Sequence, residues 1–136
     1  MKTDYVPREI CIDLFDLGFD TPTTAWWWKV NSVSVPTRTC GMDKNWNKFL
    51  PKNNGDSKRI SAPFWQQAFE WMRKKHGLIG IVDYDEYDDQ FMYYLTDMKA
   101  KNTINWSNSY PTYEEAQTKC LKKIIEILKT NPDDTK

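Results

Sequence analysis

The sequence predicts an α+β fold, a small and mainly antiparallel sheet packed by three helices. Three stretches place apolar residues at helical spacing and carry start and stop signals at their ends. Between them lie runs rich in β-branched and aromatic residues, bounded by turn residues. The predicted order is helix, strand, helix, strand, strand, helix. Helices on both faces of the sheet would make it an α/β/α sandwich. With 136 residues, 40% of them hydrophobic and 28% charged, the chain suits a single globular domain over residues 1–136. That domain is expected to carry a long irregular loop at about 36–62 and a frayed tail at 131–136.

The first helix is expected over about 7–17. Pro7 suits a first turn, where its missing N–H costs nothing, and Ile10, Leu14 and Leu17 recur at helical spacing beside Cys11. Gly18 is a left-handed stop, and Phe19 stands where a Schellman motif folds an apolar residue back onto the last turn. Residues 23–35, TTAWWWKVNSVSV, read as one strand, or two with a turn at Asn31-Ser32. The 36–62 segment, with Gly41, Pro51, Asn53-Asn54-Gly55 and scattered lysines, reads as irregular, pinned by Trp46, Phe49 and Leu50.

The second helix is expected to be capped by Ser61, with Pro63 in its first turn. Phe64, Ala68, Trp71 and Met72 form its stripe, widened by Trp65 and Phe69. Arg73, Lys74, Lys75 and His76 suit its negative end, and Gly77 stops it. Residues 78–84 and 90–98 then read as a hairpin across the acidic turn 85–89. Residues 99–111 read as a polar link containing Trp106. The last helix, from 113 to about 129, starts with the capping box Thr112-x-x-Glu115. Its expected buried face is Ala116, Cys120, Leu121, Ile124, Ile127 and Leu128. No segment repeats at a fixed period.

Formal net charge is zero, which argues against a generic nucleic-acid coat. The charge is unevenly placed. Residues 31–62 hold six basic side chains against two acids, a net of +4, and residues 78–99 hold six acids against Lys99, a net of −5. Cys11, Cys40 and Cys120 have no CxxC spacing and read as reduced thiols of a cytosolic protein. The N-terminal stretch, broken by acids and a proline, does not read as a signal peptide. No apolar run approaches the length of a membrane span.

Catalytic chemistry finds little support. His76 is the one histidine and has no cysteine near it in sequence, so neither a zinc set nor an activated nucleophile is spaced for. The acidic turn lacks the glycine and closing glutamate of a calcium loop. Its carboxylates would serve as an acid–base pair only if one were buried. There is no phosphate-binding glycine loop. The chain is therefore expected not to be an enzyme and to hold no cofactor or metal.

Three blocks stand out in order: DLFDLGFDTP, SAPFWQQAFEWMRKKHGL and YPTYEEAQTKCLKKIIEILK. Together they resemble a group of small uncharacterised proteins encoded by phages and mobile elements of Bacteroides-like bacteria, with a variable loop between the first two blocks and an aromatic hairpin before the third. The resemblance implies a phage or prophage origin and residence in the bacterial cytoplasm. It carries over no functional residue.

Function is expected to lie in binding a host protein, and blunting a defence system is one use of such binding. Aromatics make up 15% of the chain, and exposed Trp, Tyr and Arg dominate protein interfaces while lysines contribute at the rim. Arg38, Trp46 and Tyr87 are the expected anchors, with Lys44 and Lys48 at the rim. The alternative is a nucleotide or single-stranded nucleic acid. Trp26, Trp28 or Trp46 would then stack on bases, with Lys29, Arg38, Lys44 and Lys48 meeting phosphates.

Overall fold

A computed structural model describes residues 5–23, 25–28, 37–38 and 59–130. The chain is α+β, with three helices and antiparallel sheets. It falls into two compact units, Met1–Ala68 and Phe69–Lys136.

In the first unit, α1 spans Arg8–Asp16. Pro7 sits at its N-cap, and its carbonyl accepts the N–H groups of Ile10 and Cys11 at 3.0 Å. The helix ends in the expected Schellman motif. Gly18 takes φ +91°, its N–H bonds the Phe15 carbonyl at 3.0 Å, and the Phe19 N–H reaches the Leu14 carbonyl at 2.9 Å. Phe19 is thereby folded into the core beside the buried face of Ile10, Cys11 and Leu14.

The strands of this unit are β1 (Ala25–Trp28), β2 (Thr37–Arg38) and β3 (Arg59–Ser61), in the order β2-β1-β3. Ala25 pairs with Arg38, and Trp26 with Thr37 on one side and Ser61 on the other. α1 packs against β3. The Val6 N–H bonds the Pro63 carbonyl at 2.9 Å, and the rings of Tyr5 and Phe64 stack at 4.7 Å. Two short strands, β2 and β3, thus lie within the 36–62 segment expected to be irregular, near its two ends. The expected turn at Asn31-Ser32, the pinning residues Trp46, Phe49 and Leu50, Cys40 and the tail at 131–136 lie outside the described residues.

The second helix, α2, begins at Trp65. Ser61 does not cap it, because Ser61 is the last residue of β3 and is buried. The N-terminal signal comes instead from Gln67, whose Oε1 accepts the Phe64 N–H at 2.9 Å. The α-helix runs to Trp71 and continues as a π-helical turn, Met72–His76, ended by Gly77 at φ +71°. Ala68, Trp71 and Met72 are buried as expected, while Phe64 is half-buried. His76 stands in the last turn with Arg73, Lys74 and Lys75, as expected, but its side chain is buried. It is 4% exposed and meets the Trp71 ring edge-on at 5.0 Å.

The second unit is built on strands β4 (Leu78–Asp85), β5 (Gln90–Asp97) and β6 (Asn102–Trp106), antiparallel in the order β4-β5-β6. The first two form the expected hairpin. β6 corrects the reading of 99–111 as a plain link. Its alternation is interrupted by a bulge, since Leu95 pairs with Asn105 and Thr96 with Thr103, leaving Ile104 as the extra residue. The turn into β6 is tied by Asp97, whose Oδ1 accepts the N–H groups of Lys99 and Ala100.

Helix α3 spans Tyr113–Thr130 and lies on β4 and β5. Thr112 Oγ1 accepts the Glu115 N–H at 3.1 Å, as the capping box requires. Its buried face is Ala116, Cys120, Leu121, Ile124, Ile125 and Leu128, so Ile125 takes the place expected for Ile127. Leu121, Ile124 and Leu128 are each at most 1% exposed, and each such side chain contributes about 1.5–3 kcal/mol of hydrophobic stabilisation. Gly80 marks the closest approach of sheet and helix. A Cβ there would meet Cys120 Sγ at 2.6 Å and Ile124 Cδ1 at 3.1 Å.

Candidate functional site

Gly80 fixes which side of the second sheet faces α3, and strand alternation assigns the rest. Leu78, Gly80 and Val82 of β4 and Leu95 and Tyr93 of β5 turn toward the helix, and Leu78, Leu95 and Tyr93 are buried. The other face carries Ile79, Ile81, Asp83 and Asp85 from β4 and Thr96, Tyr94, Met92 and Gln90 from β5. Trp106, paired with Tyr94, extends it onto β6.

The register lines up one apolar row across all three strands: Ile81 opposite Tyr94, and Tyr94 opposite Trp106. The Tyr94 and Trp106 rings lie 4.9 Å apart at 34°. Trp106 is 63% exposed and Ile81 38%. The bulged Ile104, two residues before Trp106, is exposed as well. Strands stand about 4.8 Å apart, so the row is about 10 Å across. A large ring left this open costs solvation that a partner surface would relieve.

Toward the hairpin turn the face becomes acidic. Asp83 lies opposite Met92 and Asp85 opposite Gln90. Asp83 Oδ1 accepts the Tyr84 N–H, and Asp85 Oδ1 accepts the Tyr87 N–H. Tyr84 donates to Asp89 Oδ1, and the carboxylate holds the phenol above its ordinary range. Asp89 takes φ +51°, which closes the turn. The ion pairs Lys74–Glu70 and Lys123–Glu126 do not involve the acids of this face. No group of acids, histidines or cysteines among the described residues is arranged to hold a metal ion.

Of the expected binding residues, Tyr87 and Arg38 are among the described ones. Tyr87, 93% exposed at the turn, belongs to the second unit. Arg38 is in β2 of the first unit, where its backbone pairs with Ala25. Trp46, Lys44 and Lys48 lie outside the described residues. Sequence reasoning missed Trp106 as a surface residue because β6 was not recognised. The signal available was the β-favouring set Thr103, Ile104 and Trp106 between Lys101 and the Ser107-Asn108 pair.

Two thiols are withdrawn from chemistry. Cys11 Sγ donates to the Val6 carbonyl at 3.3 Å inside the first unit. Cys120 is fully buried, and burial pushes its thiol up to about 12. Burial also pushes the Tyr93 phenol up to about 12. Cys11 and Cys120 should resist thiol reagents in the folded protein and react on unfolding, as timed labelling and intact mass would read. The sign of the pH dependence follows. Cys120 and Tyr93 prefer their neutral form in the fold, so their stabilisation is whole below about pH 9 and is lost as pH rises toward about 12. Cys120→Ala should flatten the lower part of that alkaline decline. An unchanged decline in the variant would place its origin elsewhere.

The second unit is thus a three-stranded antiparallel sheet with one face closed by a helix and the other bearing an exposed aromatic row with an acidic end. Comparison of the chain with protein-family models, curated proteins and solved structures finds no match. No helix among the described residues is long and apolar enough to cross a membrane.

Proposed function

We propose that this chain is a non-enzymatic binding protein that docks another protein on the open face of its β4–β5–β6 sheet. The observation that carries the reading is the Ile81–Tyr94–Trp106 row, with its indole 63% exposed and tilted against the tyrosine ring. Aromatic anchors of this kind supply most of the energy of protein interfaces, and charged rims select the partner. Taken with the phage-like resemblance of the three sequence blocks, the partner is a protein of the bacterial host, met in its cytoplasm. Interference with a defence system is the role such an accessory protein would serve. The acids beside the row disfavour a phosphate backbone on this face, so a nucleotide or single strand is the alternative outcome.

Tagged wild-type chain and Trp106→Ser should be compared in pull-downs from host lysate, analysed for proteins and small molecules. Trp106→Ser should lose the captured protein, with at least about a thirtyfold weaker Kd in a purified pair. Its melting temperature should stay within about 2 °C, because surface replacements cost little. Undiminished capture by the variant would remove the docking face. Co-purified nucleotide lost on the same replacement would favour the alternative.

A further inference from the structure

We infer that the partner presents a cationic segment to this face, with an arginine or lysine over the Tyr94–Trp106 rings and against Asp83, a second basic side chain against Asp85, and an aliphatic side chain against Ile81. The inference rests on the docking reading above and names the chemistry of its partner. Three features of the face converge on it. The Tyr94 and Trp106 rings, 4.9 Å apart and tilted by 34°, form a broad π surface in the middle of the row. A guanidinium or ammonium within about 6 Å of such a ring is attracted to it, most strongly for tryptophan. Asp83 and Asp85 stand in the next rows of the same face, on the strand that carries Ile81. With strands about 4.8 Å apart and a rise of about 3.4 Å per residue, Asp83 is about 8 Å from Tyr94 and within reach of a long cationic side chain lying on it, while Asp85, about 14 Å away, meets a second basic side chain.

The strand residues assigned to this face by alternation include these two acids and no lysine or arginine. The acids therefore have one sign to offer a partner. The wider hairpin agrees, since residues 78–99 carry a net of −5. This field would speed the approach of a basic segment and repel an acidic one. Ile81, 38% exposed at the β4 end of the row, supplies the apolar floor that a purely ionic contact would lack.

The test is a titration of isotopically labelled full chain, read by nuclear magnetic resonance, with three synthetic peptides. One alternates arginine and leucine, and the others carry glutamine or glutamate in place of arginine. The Trp106 indole N–H signal is assigned by its loss in Trp106→Phe. The arginine peptide should shift that signal and the amides of Ile81, Asp83 and Tyr94. The glutamine peptide should bind at least about tenfold more weakly, and the glutamate peptide not at all. The double variant Asp83→Asn, Asp85→Asn keeps an oxygen for the Tyr84 and Tyr87 N–H groups, and should lose about tenfold for the arginine peptide alone.

Equal binding of the arginine and glutamine peptides at Trp106 would overturn the cationic assignment while leaving the docking face intact. Shifts confined to residues 86–89 would overturn it as unspecific pairing with the turn. A Trp106 signal that moves with protein concentration alone would make a second copy the occupant. One that moves in Lys44→Gln, Lys48→Gln without peptide would make the chain's own basic segment the occupant. Either result overturns the inference. Failure of the docking reading itself is read separately, as undiminished lysate capture by Trp106→Ser.

Discussion

Trp71→Ala is expected to lower the stability of the protein by about 3–5 kcal/mol, the usual cost of truncating a buried tryptophan. Trp71 closes the α-helical part of α2 and is 6% exposed. Its ring stands edge-on to His76 at 5.0 Å and 79°, an arrangement in which the positive edge of one ring meets the face of the other. Truncation would remove a large apolar surface and open a cavity beside a histidine that is only 4% exposed. The loss should exceed that of Trp71→Phe, which keeps an aromatic ring against His76 and leaves a smaller cavity. Urea unfolding of the three proteins would give the ranking. A midpoint for Trp71→Ala equal to that of wild type would show the indole in solvent.

Helix α3 was the most legible part of the sequence. Its capping threonine and its apolar stripe are local signals, written within a few turns of one helix. Even there the stripe was displaced at one position. Ile125 is buried and Ile127 only partly so, because sequence spacing defines an arc of the helix and the sheet decides which edge of the arc it covers. The Gly18 stop and Phe19 were equally readable, since a Schellman motif is written in adjacent residues.

The failures are non-local. Ser61 has the chemistry of a cap, yet it pairs with Trp26 in β3, and that pairing depends on a residue far away in sequence. β6 was hidden because asparagines interrupt its β-favouring residues and the bulge breaks its alternation. The candidate face was hidden with it. A row of one residue from each of three strands has no sequence spacing, and it exists only once the register is known. Tyr87 was readable as exposed because a turn of acids admits no other place for it. Arg38, Trp46, Lys44 and Lys48 were grouped with it by residue type and regional charge, which do not determine proximity.

Gly80→Ala should destabilise the second unit by about 1–3 kcal/mol, although the change adds only a methyl group. Glycine in a strand is ordinarily a cost, and alanine at an unhindered site gains about 0.4–1 kcal/mol by restricting the unfolded chain. Here the close approach of α3 reverses the sign. The new Cβ would lie 2.6 Å from Cys120 Sγ, 3.0 Å from Phe69 Cε1 and 3.1 Å from Ile124 Cδ1. The sulfur cannot simply swing aside, because Cys120 is fully buried on a helix whose neighbours Leu121 and Ile124 are buried too, and helical χ1 choices are few. The strain therefore passes to the helix–sheet spacing. The origin of the effect can be isolated by pairing the variant with Cys120→Ala, which deletes the obstructing sulfur. The double variant should be more stable than the sum of the single changes by about 0.5–3 kcal/mol. Rescue should be incomplete, because the Phe69 and Ile124 contacts persist. Chemical denaturation of the four proteins completes the cycle. Strict additivity, or a Gly80→Ala protein as stable as wild type, would mean that α3 does not rest on Gly80, and the assignment of the opposite face as open would fall with it.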